Sequence, residues 1–288
     1  MNLEYNQTLY SILTQNKCIN RVVILVCTIT IYIFSASTSP AHAVTSQPSS
    51  SDSSAWQTVK LDYQNFYTRD RLTRLGIAFA VGGVMANTDI DQDIRDWYQD
   101  QIRSPNTDSF AKTFKNLGNG YYVIPMSLLA MGIGHLNSEN NASYAIGEWG
   151  QRSLRAYVVG GPLTLFAQVA TGGSRPEERP DASHWRPFQD SNGVSGHAFV
   201  GAIPFLTIAD MSDNRLVRYS AYFASTLVGW SRINDDTHFA SQVFLGWYLA
   251  FESTDAVSTS EATDPHQDPH LAILPWPHGV LVAAAYHW

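Results

Sequence analysis

Ser231-Arg232-Ile233-Asn234-Asp235-Asp236-Thr237-His238-Phe239-Ala240-Ser241-Gln242 joins two apolar stretches of helical length, 215–230 and 238–251. If His238 opens the second helix, Gln242 lies one turn further on the same face. Its amide can then hydrogen-bond one ring nitrogen of His238 and leave the other free, which is how a nucleophile is oriented. Arg232 adds a permanent cation with a planar donor fork suited to phosphate oxygens. Alone, the segment is better read as a surface arginine and a helix-capping histidine.

Upstream, Ser195-Gly196-His197 stands at the head of another apolar stretch, 196–210. A helix N-terminus offers free amides and the positive end of a dipole, and together these bind anions. Gly196 allows close backbone approach to a ligand. The plainer account is a serine N-cap with an incidental histidine. Further upstream, Gly172-Gly173-Ser174-Arg175-Pro176 places an arginine on a loop stiffened by Pro176. Arg179-Pro180 and Trp185-Arg186-Pro187-Phe188 offer other arginines for the same purpose.

Taken in order, the three pieces resemble the type 2 phosphatidic acid phosphatase and vanadium haloperoxidase superfamily. Its pattern is Lys, six residues, Arg-Pro; then Pro-Ser-Gly-His; then Ser-Arg, five residues, His, three residues, Asp. This chain reads Gln168 to Arg175-Pro176, then Val194-Ser195-Gly196-His197, then Ser231-Arg232, His238 and Gln242. The resemblance spans about 118–250, and the last block is its most specific element. It implies that His238 attacks phosphorus and forms a phosphohistidine, and that His197 protonates the leaving oxygen. It also implies that Arg175, Arg232, the position of Gln168 and the amides of Ser195 and Gly196 hold the phosphate oxygens. No metal and no cofactor are implied, save vanadate if the same pocket serves a haloperoxidase. Two departures stand out. Gln168 replaces a lysine and removes a phosphate-binding charge. Gln242 replaces a carboxylate orienter by a neutral amide, for which Asp235 or Asp236 could compensate; the two replacements together leave a catalytically idle phosphate- or lipid-binding protein as the alternative.

The remaining apolar stretches, 70–86, 92–102, 119–136 and 144–170, predict an all-α helical bundle. Internal breakers such as Gly160-Gly161-Pro162 and Pro204 kink a helix without making it a strand. None of the stretches is free of polar residues over the length a membrane span needs, so a soluble bundle is expected, with a membrane-embedded one as the alternative. The predicted helical domain covers 56–252. A polar tail follows, and two short apolar runs around Pro275-Trp276-Pro277-His278-Gly279 suggest a small C-terminal β-hairpin within 253–288.

The first 43 residues have the form of a secretory signal. Lys17 and Arg21 precede the apolar run from Val22 to Phe34, and Ala41-His42-Ala43 follows. Cleavage predicts an exported protein whose amino-terminal sequence begins at Val44; recovery of only the full-length chain from membranes would instead mark an uncleaved anchor. Both cysteines, Cys18 and Cys27, lie in this segment, so the mature core depends on no disulfide. Residues 44–55, rich in Ser, Thr and Pro, read as a linker.

Composition narrows the partners. The net charge is −7 with only 15% charged residues and no basic stripe, which argues against nucleic acid. The expected partner is a phosphorylated small molecule or lipid, whether a lipid phosphate, a polyprenyl pyrophosphate or a soluble monoester, with membrane-surface association as an accompanying expectation. Asp89-Ile90-Asp91-Gln92-Asp93 with Asp100 has the outline of a calcium loop, but Ile94 stands where that loop needs glycine, and a charged helix start is the preferred reading. His266, His270, His278 and His287 are scattered over the tail without metal-ligand spacing.

Overall fold

The computed structural model describes residues 55–263 except Pro180, together with the backbone of 269–276 and 279–286. The expected signal segment and almost all of the expected linker lie outside the described residues. The described body is all-α: α1 (Ala55–Phe66), α2 (Arg69–Ala86), α3 (Ile90–Gln101), α4 (Pro105–Lys115), a 3₁₀ turn (Asn116–Gly118), α5 (Gly120–Leu136), α6 (Asn141–Thr171), α7 (Gly196–Met211), α8 (Arg215–Asn234) and α9 (Ala240–Thr263). Beyond it, β1 (Pro269–Trp276) and β2 (Gly279–Tyr286) pair antiparallel, Pro269 opposite Tyr286 and Trp276 opposite Gly279.

α9 is the centre of the bundle and packs against α1, α2, α6, α7 and α8. Its Leu245 and Leu249 meet Ile203 and Leu206 of α7, Val159 of α6 and Phe66 of α1 in one fully buried core. α5 and α6 cross where Gly134 faces Gly147; a Cβ on either would fall inside contact distance of the other's Cα, so only the bare backbones fit. Among the described residues no helix is long and apolar enough to cross a membrane.

Two helices escape the periodicity. α1 falls where a linker gives way to the folded part. α4 is polar over most of its length, and its signal is local chemistry instead. Ser104 accepts from the Thr107 N–H at 3.3 Å, Thr107 Oγ1 accepts from the Ser104 N–H at 2.9 Å, and Pro105 opens the helix.

The polar tail expected from 253 is corrected in its first part: α9 runs on to Thr263. Its two glutamates, Glu252 and Glu261, are buried because arginines on other helices meet them. Glu252 receives Arg74 Nη2 at 2.7 Å and Arg71 Nη1 at 3.1 Å. Glu261 pairs with Arg155, whose Nη2 also bonds Asp62 at 2.7 Å, and with Arg152 at 3.1 Å. Removing one member strands a buried charge. Arg155→Ala, which leaves Asp62 and Glu261 without it, is expected to lower stability by about 3–5 kcal/mol in denaturant unfolding. A loss below about 1 kcal/mol would show the network to be dispensable, as exposed ion pairs are.

Candidate active site

The site forms where the end of α6, the starts of α7 and α9 and the end of α8 meet. α6 stops at Gly172, whose φ of 64° is left-handed and whose N–H caps the Gln168 carbonyl at 3.1 Å. A Cβ there would collide with the Arg186 carbonyl, so the turn into the arginine loop requires glycine. Within the loop, Ser174 Oγ donates to Asp190 at 2.6 Å, and Asn192 N–H donates to the Gly173 carbonyl at 3.0 Å. Arg175 extends from this frame, its Nε on Asn192 Oδ1 at 3.2 Å.

α7 begins as the Ser-Gly-His triplet suggests. Ser195 is its N-cap, and Ser195 Oγ accepts from the Ala198 N–H at 3.3 Å. One expectation is corrected here. The Ser195 N–H donates to the Gln242 carbonyl at 2.8 Å, so this amide is committed to joining α7 to α9 and is not offered to a phosphate. The N–H groups of Gly196 and His197 have no hydrogen-bond partner among the described residues. Gln168 is likewise engaged, its Nε2 donating to the Val194 carbonyl at 3.0 Å. It ties α6 to the strap before α7 and supplies no charge.

His238 precedes α9 and is buried. Its Nδ1 lies 2.8 Å from Gln242 Oε1. The same oxygen accepts from the Phe239 N–H at 3.2 Å, while Gln242 Nε2 donates to the Ser174 carbonyl at 2.8 Å. Those two backbone partners fit only one amide orientation. An acceptor therefore faces Nδ1, Nδ1 carries the hydrogen, and Nε2 keeps its lone pair. Asp235 and Asp236 do not share this task. Asp236 is held by Arg95 in a two-point ion pair at 2.7 and 2.6 Å, and Asp235 pairs with Lys115 at 3.2 Å and Arg232 at 3.5 Å.

Arg232 is buried, and its Nε has no acceptor among the described residues. Burial and the neighbouring Arg175 guanidinium depress its pKa, against the pull of Asp235. Both histidines are pushed down to about 4, first by burial. Arg232, Arg175 and Lys115 then act on His197, and Arg232, Arg175 and His197 act on His238 against the raising hydrogen bond from Gln242. The two imidazoles and both arginines of the sequence motifs thus share one electrostatic neighbourhood.

Sequence reasoning missed the groups that fix the loop before His238. From α3, Gln99 Nε2 donates to the Ile233 carbonyl at 2.8 Å, and Tyr98 OH meets Asn234 Oδ1 at 3.1 Å. Asp91 lies in the helix start first read against a calcium loop. It is fully buried and accepts from the Ser241 N–H at 2.9 Å and from Ser241 Oγ, capping the start of α9 from another helix. Asp91→Ala would leave both donors buried and unmet. A stability loss of about 2–3 kcal/mol is expected in denaturant unfolding, and an unchanged midpoint would show that the cap carries no weight. Lys115 is the other missed group, and only its distance along the chain hid it.

Residues 154–259 match the family model of the PAP2 superfamily. That stretch holds Gln168, Arg175, the Ser195-Gly196-His197 triplet, Arg232, His238 and Gln242, and excludes Lys115 and Asp91. No curated protein matches the chain. Among solved structures it is similar to a transmembrane PAP2-type phosphatidylglycerolphosphate phosphatase from Bacillus subtilis, at 15% identity over 74% of this chain and 96% of that one, with a TM-score of 0.38. A likeness that loose places no residue of this chain.

Proposed function

We propose that this chain, of the PAP2 superfamily by its residues 154–259, hydrolyses phosphate esters of small molecules or lipids through a phosphohistidine on His238. The observation that carries this reading is the pairing of a locked, neutral His238 with the partnerless Nε of buried Arg232. A buried guanidinium N–H without an acceptor calls for an anion. A nucleophilic lone pair beside it calls for an electrophile, and a phosphoryl group is both.

In this mechanism His238 Nε2 attacks phosphorus as the ester P–O bond breaks. Arg175, Arg232 and the N–H groups of Gly196 and His197 stabilise the charge on the equatorial oxygens. His197 gives its proton to the departing oxygen, and water then cleaves the P–N bond. His197 is neutral at pH 7, since burial and three cations hold its pKa near 4. A bound phosphate screens those cations and favours the protonated ring, so the acid is charged only when substrate is present.

The test is a panel of lipid and soluble phosphomonoesters with the purified protein and its His238→Ala variant. Release of phosphate by the parent alone, with an acid-labile phosphorylated histidine trapped in a single turnover, supports the reading. Anion binding without turnover would make the protein a phosphate-binding relative, and peroxide-dependent halide oxidation with added vanadate would make it a haloperoxidase.

The exposed side of α5 bears on lipid substrates. The helix has no Asp, Glu, Lys or Arg and exposes Tyr121, Tyr122, Leu129 and Leu136. Surface association with a bilayer is part of the proposal. Co-sedimentation with anionic vesicles is expected to fall with Leu129→Asp/Leu136→Asp, and unchanged binding would remove α5 from it.

A further inference from the structure

We propose that Asp190, which lies in none of the three motifs, is a positioning residue of the site: its one carboxylate sets both Arg175 and the frame that aims His238. The inference rests on the hydrolase reading above and deepens it.

Two chains of hydrogen bonds leave this carboxylate. On the first, Asn192 Nδ2 donates to Asp190 Oδ1 at 3.0 Å, and Asn192 Oδ1 accepts from Arg175 Nε at 3.2 Å. Those two partners fit one orientation of the Asn192 amide, so the carboxylate decides that an acceptor faces the arginine. On the second, Ser174 Oγ donates to Asp190 Oδ2 at 2.6 Å, and the Ser174 carbonyl accepts from Gln242 Nε2 at 2.8 Å. Gln242 Oε1 then lies 2.8 Å from His238 Nδ1. The Ser191 N–H also donates to Asp190 Oδ1, at 2.6 Å. Against desolvation, the donors on Ser174, Ser191 and Asn192 and the charge of Arg179 hold the Asp190 pKa below its ordinary value.

The segments that carry these bonds lie directly on one another. A Cβ on Gly173 would stand 3.0 Å from Gly193 Cα and 3.3 Å from Gln242 Nε2. Phe188, two residues before Asp190, donates its N–H to the Val169 carbonyl of α6 at 2.9 Å. The carboxylate is therefore fixed against the same helix end from which the arginine loop departs.

Arg175 needs such a partner more than Arg232 does. Arg232 is held by burial, whereas Arg175 is exposed. An exposed arginine loses rotamer freedom when it binds phosphate, and a partner that holds it beforehand removes that cost from binding. The bond to Asn192 occupies Nε and leaves the Nη1–Nη2 edge for phosphate oxygens. The amide at 242 gains a second use as well. An ionised carboxylate there could orient His238 but could not donate to the Ser174 carbonyl, so the amide is what joins the nucleophile to the arginine loop. The negative charge absent from 242 stands two hydrogen bonds away, on Asp190.

The experiment crosses Asp190→Ala with Arg175→Met and with Gln242→Ala. It reads kcat on a soluble phosphomonoester and the affinity for inorganic phosphate by titration calorimetry. Residues that act through one another are not additive. Asp190→Ala is expected to weaken phosphate binding by about tenfold in the parent and by less than about threefold on Arg175→Met. It is expected to lower kcat by about tenfold in the parent and on Arg175→Met, and by less than about threefold on Gln242→Ala. Asn192→Ala should reproduce the loss of phosphate binding, and Ser174→Ala the loss of kcat. Asp190→Asn keeps the shape, and the Ser174 hydroxyl can accept from the new amide, so it should recover most of both. Ser191→Ala, which keeps the backbone N–H, should match the parent. Losses that are the same in every background, or no loss in the parent, overturn the proposal. If Asp190→Ala does not fold, Asn192→Ala crossed with Arg175→Met and Ser174→Ala crossed with Gln242→Ala decide by the same criteria. If the parent turns over no substrate but Asp190→Ala weakens phosphate only while Arg175 is present, the hydrolase reading fails and the hold of Asp190 on Arg175 stands.

Discussion

His238→Ala is expected to reduce kcat/KM by about 10⁴-fold or more on every substrate the parent turns over, because it removes the atom that forms the covalent intermediate. The fold should survive. His238 precedes α9 and does not belong to it, and that helix is capped by Asp91, which accepts from the Ser241 N–H. The comparison with His197→Asn separates the two roles. Loss of a general acid costs about 10²- to 10⁴-fold, and the cost scales with how badly the leaving group needs a proton. His197→Asn is therefore expected to be severe on alkyl phosphates and mild on an aryl phosphate with an acidic phenol. His238→Ala should be equally severe on both. If the two variants respond to leaving group in the same way, the division of labour between the histidines is wrong. If His238→Ala retains the parent's activity, the hydrolase itself must be sought elsewhere.

The second large effect concerns Gln242. Its side chain serves three partners at once: His238 Nδ1, the Phe239 N–H and the Ser174 carbonyl. Gln242→Ala frees the imidazole to turn and leaves the Ser174 carbonyl unmet, and a loss of about 10²- to 10⁴-fold in kcat is expected, as for a misaimed catalytic imidazole. Gln242→Glu tests charge against geometry. A carboxylate beside Nδ1 favours the protonated ring, so the His238 pKa moves up from about 4 by about 1–2 units. The active form is the neutral ring, so activity is lost as pH falls through that pKa. The acid limb of kcat/KM, corrected for substrate ionisation, is then expected to shift to higher pH in the variant by the same amount. Gln242→Glu also places an acceptor against the Ser174 carbonyl, so kcat at neutral pH should fall even while the orienting bond is kept. Gln242→Asp, one carbon shorter, keeps activity only if it still reaches Nδ1. An acid limb that does not move in Gln242→Glu would mean that the residue at 242 does not set the charge state of His238.

Much of this site was legible along the chain because its key relations are local. His238 and Gln242 are one helical turn apart, Ser195-Gly196-His197 is a helix start, and Gly172 to Pro176 is a helix end running into a stiff loop. Helical period and capping chemistry are carried by neighbours in sequence, so they fix which side chains share a face and where backbone amides stay free. The apolar stretches likewise announced an all-α body.

What the chain alone left open depends on pairings between distant residues. Whether the Ser195 amide binds ligand or Gln242 was settled by how α7 meets α9. Whether Gln168 replaces a cation or a strut was settled by the Val194 carbonyl. Asp235 and Asp236 adjoin His238 in sequence yet turn to Lys115, Arg232 and Arg95, because a buried or half-buried carboxylate goes to the nearest cation in space. Glu261 fell in the expected polar tail and became core, as did Glu252 at the edge of the expected helical domain, since Arg71, Arg74, Arg152 and Arg155 arrive from other helices. Periodicity reports which residues a helix turns inward. It carries no record of which charges from elsewhere will be waiting there, and that complement of charges is what the packing of α4, α6, α8 and α9 decides.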